Sequence, residues 1–298
     1  MIKIFYPHHP SISFSIKRVR DAFLRYLPDD FIIVRRPEED AIQIIDYIGQ
    51  HPRAKNANVL LSVPFPLTKK YVLIYHCHPL IDDLFSRNLI TNAELVISTY
   101  RKEWLAYSEH INNFLRVCWG VDTLVFYPDL DGLRNKKYLV LSTGTVAESE
   151  YIDVFYRAVV KLNAKMCHIG NGDAYNKLMK ISPYNFDEYE FVTDSTLRYL
   201  YSSSWFTNAC REGIGFELPA IEGYACGSQP ICLDLPCYRD WFNDFAIFIP
   251  ANKEEAYEKL IDILSKPKYV FPKKEILERF SWKRIMGKIY EAIREISS

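Results

Sequence analysis

One segment of twenty residues, "REGIGFELPAIEGYACGSQP" (211–230), concentrates residue types that bind phosphates and hydroxyl groups. It holds four of the eleven glycines in the chain and three glutamates, Glu212, Glu217 and Glu222. Glycines let bare backbone N–H groups approach a ligand closely, and a helix N-terminus after such a turn attracts anions. The segment therefore predicts an anion site with carboxylates in reach of a sugar or ribose. A glycine-rich turn that only connects a strand to a helix is the alternative.

Histidine pairs form a second group of side chains that could do chemistry. The segment "YHCHP" places His76 and His78 on one face of a predicted strand, and "PHHPS" brings His8 and His9 directly after the first predicted strand. A zinc site would need a third and a fourth ligand, which the sequence does not offer. We expect His76 or His78 to bind a ligand at the strand end, or to be a hydrogen-bonded structural histidine. His8 and His9 either bind a ligand or lie in a surface loop.

Short apolar runs alternate with amphipathic patterns along the whole chain, which is typical of parallel sheets covered by helices. The predicted strands are 2–6, 31–34, 58–63, 71–77, 94–99, 114–119, 138–143, 165–170, 205–209, 230–235 and 245–250. The predicted helices are 15–27, 37–50, 150–162, 195–203, 253–266 and 281–296, with one more starting near Pro219. Ligands of such sheets bind beyond the carboxyl ends of the strands, and the glycine-rich segment follows a predicted strand.

A polar connector, "YPDLDGLRNKK" (127–137), separates two rounds of this alternation. We therefore predict an α/β protein with two Rossmann-like doubly wound domains facing a cleft, residues 1–127 and 128–280, followed by a C-terminal helix at 281–298. The "DLD" at 129–131 looks like a metal-binding carboxylate pair. It lies in the connector after a proline, so we interpret it as a solvated turn.

Length and composition narrow the class of protein. The 298 residues exceed the usual size of one core, and 37 basic residues balance 37 acidic ones, which gives no general attraction for nucleic acid. No apolar run is long enough for a signal sequence or a membrane span, although peripheral membrane contact is compatible with local basic patches. Seven cysteines without a C-x-x-C pair indicate buried free thiols in a reducing compartment. We expect a cytoplasmic protein.

Several segments resemble, in order, the signatures of the retaining GT-B glycosyltransferases, the large family that includes glycogen and sucrose synthases. "EGIGFELPAIEGYACGSQPI" resembles "EGFGLPxLEAMACGxPVI", and "GVDTLVFYP" resembles the "NGVDTERFRP" that precedes the interdomain linker. "CHIGNGD" resembles "IVGDGP", and "FSWKRIMGKIYEAI" resembles the closing "FSWERVAERLLALY". The series covers residues 94–298, whereas residues 1–93 match only in pattern. The resemblance implies a GT-B fold whose C-terminal helix crosses back onto the N-terminal domain.

The resemblance also implies an activity. Members of the family move a sugar from a nucleotide-diphosphate donor to an acceptor with retained anomeric configuration, without a bound metal and without a cofactor. The donor would lie on the C-terminal domain, and the acceptor, a glycan, lipid or protein, on the N-terminal domain. Two alternatives stay open: a non-catalytic module that binds sugar nucleotides, and a GT-B sugar-nucleotide epimerase.

The family's paired glutamates, separated by seven residues, carry over onto the glycine-rich segment. The second of them matches Glu222, which would bind the donor ribose. An alignment without a gap places the first glutamate at Ile214, whereas a two-residue insertion in the loop places it at Glu212. We favour Glu212, and Glu217 is the alternative for the same role. By the same resemblance His76 lines the sugar pocket, with His78 as the alternative. The donor-binding set implied is Gly144, Thr145, Arg211, Gly213, Ile214, Gly215, Phe216, Leu218 and Glu222, and the acceptor-side set is His8, His9 and His78.

One departure from the family concerns the donor phosphates. Relatives carry an arginine and a lysine in a "GR…EK" pattern, whereas this chain has Gly144, Thr145 and then Glu150 in those places. A departing diphosphate gains negative charge that cations normally stabilise. Arg211, Arg239 or a basic residue of the N-terminal domain must therefore supply the charge, and we expect it from Arg211, which leads into the glycine-rich turn.

Overall fold

The computed structural model describes residues 1–7, 14–47, 70–76, 84–105, 107–144, 148–170, 178, 182–212 and 215–297. The predictions for strand 58–63 and for His8, His9, His78, Thr145, Gly213 and Ile214 lie outside these residues. The chain forms two compact units. The first comprises Met1–Gly120, Gly213–Phe216 and Trp282–Ser298, and the second Val121–Glu212 and Glu217–Ser281.

The first unit contains a parallel sheet whose six described strands run in the order β2-β1-β3-β4-β5-β6. The strands are β1 (Ile2–Phe5), β2 (Phe31–Ile33), β3 (Ile42–Tyr47), β4 (Tyr71–Tyr75), β5 (Leu95–Ser98) and β6 (Phe114–Arg116). Its first helices are α1 (Phe14–Arg25) and α2 (Leu84–Thr91). Every residue of β3, β4 and β5 is buried, as expected for parallel strands covered on both faces.

The predicted helix over 37–50 is wrong, because this segment contains the buried strand β3. Pro37 and the acidic residues after it suggested a helix start, but they belong to the turns that precede the strand. The run "IQIIDY" is rich in β-branched isoleucine and pairs in parallel with β1 on one side and β4 on the other. A central position between two strands buries both faces, which removes the alternation that would have revealed a strand.

The second unit repeats the architecture with the strand order β12-β11-β10-β7-β8-β9, again all parallel. The strands are β7 (Tyr138–Thr143), β8 (Met166–Ile169), β9 (Phe186–Tyr189), β10 (Ser204–Asn208), β11 (Gln229–Leu233) and β12 (Ile247–Ile249). The described helices are α3 (Leu130–Arg134), α4 (Ile152–Lys161), α5 (Asp194–Ser202), α6 (Leu218–Ala225), α7 (Pro236–Phe242), α8 (Lys253–Leu264) and α9 (Lys274–Arg279).

Each sheet has one point at which successive strands begin to add on the opposite side. In the first unit this switch point lies between β1 and β3, and in the second between β7 and β10. The doubly wound α/β architecture predicted from the sequence is confirmed. Switch points leave a crevice beyond the carboxyl ends of the strands, where ligands of such sheets bind.

The last helix, α10 (Trp282–Ser297), returns to the first unit, as the resemblance implied. The ring of Tyr290 packs 4.8 Å from that of Phe23 and 4.9 Å from that of Phe31, and its hydroxyl donates to the Phe23 carbonyl. The guanidinium of Arg294 makes two hydrogen bonds to Asp30, at 2.7 and 2.8 Å. Aromatic packing and an ion pair therefore join this helix to α1 and to the start of β2.

The connector between the two rounds of strands is more ordered than predicted. Asp129 caps α3, because its side chain accepts a hydrogen bond from the N–H of Gly132 at 3.0 Å. The "DLD" segment therefore begins a short helix instead of forming a solvated turn.

Two further expectations can be compared with the described residues. The six cysteines among them are free and buried. Among those same residues, no helix has the length and apolar character needed to cross a membrane.

Candidate functional site

The switch point of the second sheet is formed by the ends of β7 and β10. Gly144 follows β7 with a φ of +117°, a conformation that favours glycine. A Cβ atom at this position would lie 2.7 Å from Nη2 of Arg211 and 2.8 Å from Oε2 of Glu150. Glycine is therefore needed at position 144 for two reasons, the positive φ and the lack of space for a side chain. Its absence of a side chain lets the end of β7 lie directly against these two charged groups.

Arg211 lies between two carboxylates. Its Nη2 is 2.7 Å from Oε1 of Glu150, and its Nε is 3.6 Å from Oε1 of Glu217. The hydroxyl of Tyr238 donates to the Arg211 carbonyl at 2.7 Å, which fixes the backbone. The two glutamate side chains are each 9% exposed, whereas Arg211 keeps 27% of its side chain exposed. We call these three residues the Arg211 cluster; its positive member is the most accessible one.

Burial controls the protonation of this cluster. Burial raises the pKa of Glu150 to about 7; Arg211 opposes that shift and the nearby Glu217 adds to it. Burial likewise raises the pKa of Glu217, again against the attraction of Arg211. Burial opposes the charge of Arg211, but Glu217 and Glu150 outweigh it and raise the guanidinium pKa. The guanidinium therefore stays charged while its carboxylate partners titrate nearer to neutrality than ordinary glutamates.

Glu212 is placed differently from the other two glutamates. Its side chain is exposed, and its Oε1 accepts a hydrogen bond from the hydroxyl of Tyr151 at 2.9 Å. Its backbone N–H donates to the carbonyl of Ser149 at 2.9 Å. The ion pairs of Arg211 are thus made with Glu150 and Glu217, and not with its neighbour in sequence.

Helix α6 carries the remaining predicted glutamate. A Cβ atom at Gly223 would lie 2.3 Å from Oγ1 of Thr207, so the missing side chain lets α6 lie directly on β10. Glu222, the residue before it, is buried, and its Oε2 accepts a hydrogen bond from the hydroxyl of Tyr201 at 3.3 Å. Close packing of α6 on β10 and the hydrogen bond from Tyr201 thereby fix the position of this buried carboxylate.

The start of α6 differs slightly from the prediction. Glu217 is the N-cap residue without a capping hydrogen bond from its side chain, Leu218 is the first helical residue, and Pro219 the second. Phe216 and Leu218 are buried. Gly215 belongs to the first unit, where a Cβ atom would lie 2.5 Å from Oγ1 of Thr99.

A second polar cluster, at the switch point of the first sheet, contains two residues that sequence reasoning missed. Oδ2 of Asp46 accepts a hydrogen bond from the hydroxyl of Tyr6 at 2.7 Å, and Oδ1 lies 2.9 Å from Nε2 of His76. Asp46 is fully buried near the end of β3. An acidic residue at the end of an apolar run was the available signal, but it is informative only once that run is recognised as a strand. We call Tyr6, Asp46 and His76 the Asp46 cluster.

Among the described residues, no three or more histidine, cysteine, aspartate or glutamate side chains lie together in a way that could hold a metal ion. The two clusters above supply one guanidinium, one imidazole, one phenol and three carboxylates. These groups suit hydrogen bonding to phosphates and hydroxyls.

Comparison with known proteins adds the fold family. No family model and no curated protein matches the sequence. Among solved structures, sucrose-phosphate synthase from Thermosynechococcus elongatus superposes with a TM-score of 0.71 over 99% of both chains, at 12% identity. AviGT4, a glycosyltransferase involved in avilamycin A biosynthesis, gives 0.64 over 100% of this chain and 98% of that one, at 10% identity. The fold is GT-B.

A third structure shows a GT-B protein with ligands. The pneumococcal O-GlcNAc transferase GtfA, in complex with UDP and GlcNAc, gives a TM-score of 0.57 at 13% identity. The match covers 76% of this chain and 52% of that one. Identities this low relate folds and not residue roles, so the roles of side chains must be argued from the clusters themselves.

Proposed function

We propose that this protein is a metal-independent, retaining glycosyltransferase that moves a sugar from a nucleotide-diphosphate donor to a glycan, lipid or protein acceptor. The observation that carries the proposal is the Arg211 cluster, a partly exposed guanidinium at the switch point of the C-terminal sheet in a GT-B fold. The ordered series of family-like segments, which includes the loop after β10, supports the same reading.

In this proposal the donor diphosphate binds at Arg211. Glu150 holds the guanidinium and Tyr238 holds the backbone of Arg211, while the Arg211 side chain stays partly exposed. Gly144 leaves the end of β7 without a side chain. A fork of N–H donors binds phosphate oxygens with charge-assisted hydrogen bonds. As the sugar–phosphate bond breaks, this fixed positive charge stabilises the negative charge gained by the diphosphate.

The glutamates take separate roles. Glu222 accepts hydrogen bonds from the donor ribose; its place one turn into α6 and its match to the second glutamate of the resembled family support this assignment. Glu212 takes the place of the family's first glutamate, because its side chain is exposed, whereas Glu217 is buried against Arg211. His76 lines the sugar pocket on the first unit.

A ligand screen followed by product analysis tests the proposal. Thermal shift with UDP, GDP and ADP sugars should find one stabilising nucleotide sugar, since a ligand at 100 times its Kd adds about 2.7 kcal/mol. Turnover of that donor should release nucleotide, survive EDTA, and give a product whose anomeric configuration, read by proton NMR, equals that of the donor. Binding without turnover would indicate a binding module, and interconversion of the donor sugar an epimerase. Either result, or a loss of turnover in EDTA that manganese restores, contradicts the proposal.

The ribose assignment has its own test. Glu222→Gln keeps the shape of the side chain and removes its charge. Hydrogen bonds to charged groups are worth about 1.5–3 kcal/mol against about 0.5–1.5 for neutral ones, so donor affinity should fall about 10-fold. Calorimetric titration with the donor measures this, with Glu258→Gln on the exposed face of α8 as the control. Unchanged affinity in the Glu222 variant would remove it from the donor site.

A further inference from the structure

Asp46 is a costly residue at its position. It lies inside a central strand of the first sheet with no exposed surface, between β1 and β4. Burying a carboxylate costs several kcal/mol unless hydrogen bonds compensate, and an apolar side chain would serve the packing of the sheet at least as well. The presence of a carboxylate here therefore calls for a reason beyond the fold.

The reason lies in the two side chains that Asp46 joins. Tyr6 directly follows β1 and His76 directly follows β4, so the ends of three adjacent strands, β1, β3 and β4, contribute one residue each. Burial, together with the Asp46 carboxylate, raises the pKa of Tyr6 well above its ordinary value, so the phenol keeps its proton and donates it to Oδ2. A cationic group also lies near Tyr6: Cζ of Arg20 is 5.5 Å from the centre of the ring.

The second oxygen of Asp46 decides which nitrogen of His76 carries the proton. A carboxylate only accepts hydrogen bonds, so Nε2 of the imidazole, 2.9 Å away, must be the N–H. In the neutral ring Nδ1 then carries the lone pair. The ring is also held in place: the His76 backbone N–H donates to the Tyr47 carbonyl at 2.8 Å, and the Trp119 ring lies 5.3 Å away. The side chain remains 10% exposed.

We propose that Asp46, supported by Tyr6, is a positioning residue that holds His76 in the Nε2–H tautomer, so that Nδ1 accepts a hydrogen bond from a hydroxyl of a bound sugar. This inference rests on the proposed function for the presence of a sugar. It assigns the hydrogen bond from the sugar to one atom, Nδ1 of His76, and it gives the buried carboxylate at the end of β3 a function.

Two substitutions of His76 separate the two ring nitrogens. The amide of His76→Asn reaches about as far as Nδ1, and that of His76→Gln about as far as Nε2. If Nδ1 is the acceptor, the Asn variant should keep a kcat/KM about 5- to 10-fold above that of the Gln variant, the size of one neutral hydrogen bond. Equal losses in both, in a wild-type enzyme that transfers sugar, would overturn the inference.

Asp46→Asn and Tyr6→Phe test the positioning directly. The ring ¹⁵N NMR signals of His76, identified by their absence in His76→Asn, should show the Nε2–H tautomer in the wild type and a mixture in Asp46→Asn. The kcat/KM should fall about 10-fold in Asp46→Asn and less in Tyr6→Phe, whereas Asp40→Asn, exposed just before β3, should match the wild type. An Asp46→Asn protein that keeps the wild-type tautomer or rate contradicts the inference.

The outcomes also distinguish this inference from the proposed function. A wild-type protein that turns over no nucleotide sugar contradicts the proposed function, while the tautomer measurement still decides whether Asp46 orients His76. Should Asp46→Asn fail to fold, Tyr6→Phe decides, because it removes one hydrogen bond without changing the carboxylate. A Tyr6→Phe protein with wild-type kcat/KM, or a wild-type protein whose His76 carries its proton on Nδ1, would then contradict the inference.

Discussion

Arg211 receives its partners from two different parts of the second unit. Glu150 precedes α4 and Glu217 precedes α6, and both face a guanidinium that follows β10. The retaining GT-B glycosyltransferases that the sequence resembles have a lysine at the place of Glu150. In the proposed function the positive charge at the donor phosphates therefore comes from Arg211, in the loop after β10. Removing Arg211 altogether would leave two buried carboxylates unpaired, which costs about 3–5 kcal/mol in other proteins.

Arg211→Lys is the more informative substitution, because it keeps the charge and removes the fork of donors. Turnover at saturating donor should fall about 10- to 100-fold, since a compact ammonium cannot hold both a carboxylate and a phosphate in the same geometry. The melting temperature should change little. Arg239→Lys is the matched control, because its guanidinium pairs with Asp234 at the surface at 2.7 Å. A greater loss of turnover in the Arg239 variant would transfer the phosphate role to Arg239.

Glu150 should make stability depend on pH. Its pKa in the folded protein, about 7, lies above the ordinary value of 4.5, so between these values the folded state holds a proton that the unfolded chain has released. The free energy of unfolding should therefore decrease as pH rises from about 4.5 to about 7. Glu150→Gln should make the melting temperature flatter between pH 5 and 7.5, with Glu258→Gln as control. A slope identical to that of the wild type would show that Glu150 does not titrate in this range.

At the residue scale, the sequence offers candidates where unusual residue types are concentrated in one segment. Arg211 and Glu222 could be selected because they flank a cluster of glycines. Asp46 could not, because its partners lie 40 and 30 positions away along the chain and meet it only through strand order. The role of a single carboxylate in an apolar run cannot be inferred until its neighbours in space are known.

At the scale of elements, five of the six described strands of the second unit follow from local pattern, and β7 spans the predicted residues 138–143. The edge strand β9 was not predicted. Such runs are flanked by turn residues and clear helical periods, so pattern alone decides them. The segment 37–50 had a proline and acids before an apolar run, which is equally compatible with a helix start. Only pairing with β1 and β4 resolves it as β3, and pairing is not a local property.

Glycines in two helices, Gly223 in α6 and Gly287 in α10, should respond to alanine substitution with opposite changes in stability. Gly223→Ala would place a methyl group 2.3 Å from Oγ1 of Thr207 on a buried strand, and overpacking of this kind typically costs about 1–3 kcal/mol. Gly287→Ala in α10 meets no atom within 4 Å, and alanine favours a helix by up to about 1 kcal/mol. Denaturant unfolding should therefore show the first variant destabilised and the second stabilised. A stabilised Gly223 variant would contradict the close packing of α6 on β10.

At the scale of the whole molecule, the doubled β-α alternation was sufficient to predict two Rossmann-like sheets. The sequence did not reveal that Gly213–Phe216 belongs to the first unit, although it lies within the second half of the chain. The contact of Gly215 with Thr99 depends on where strand ends lie in space, and no periodicity records it.

A substitution near the end of the chain should act on its beginning. Tyr290 is buried against Phe23 and Phe31, and truncating a core aromatic side chain to alanine costs about 3–5 kcal/mol. Tyr290→Ala should therefore raise amide hydrogen exchange in β1 and β2 of the first unit, while β7 and β8 of the second keep their protection. Leu277→Ala, on α9 of the second unit, is the control. Uniform loss of protection in both units of the Tyr290 variant would mean that they unfold as one.

The return of α10 to the first unit also has a consequence for how the protein is made. A ribosome finishes residues 1–120 long before it reaches residue 282, yet Phe23, Phe31 and Asp30 find their partners on that late helix. Until then Phe23, Phe31 and Asp30 of the nascent first unit lack these partners, while residues 121–281 are synthesised. The order of translation thus makes the second unit the earlier one to be completed, and leaves the first open to chaperones during synthesis.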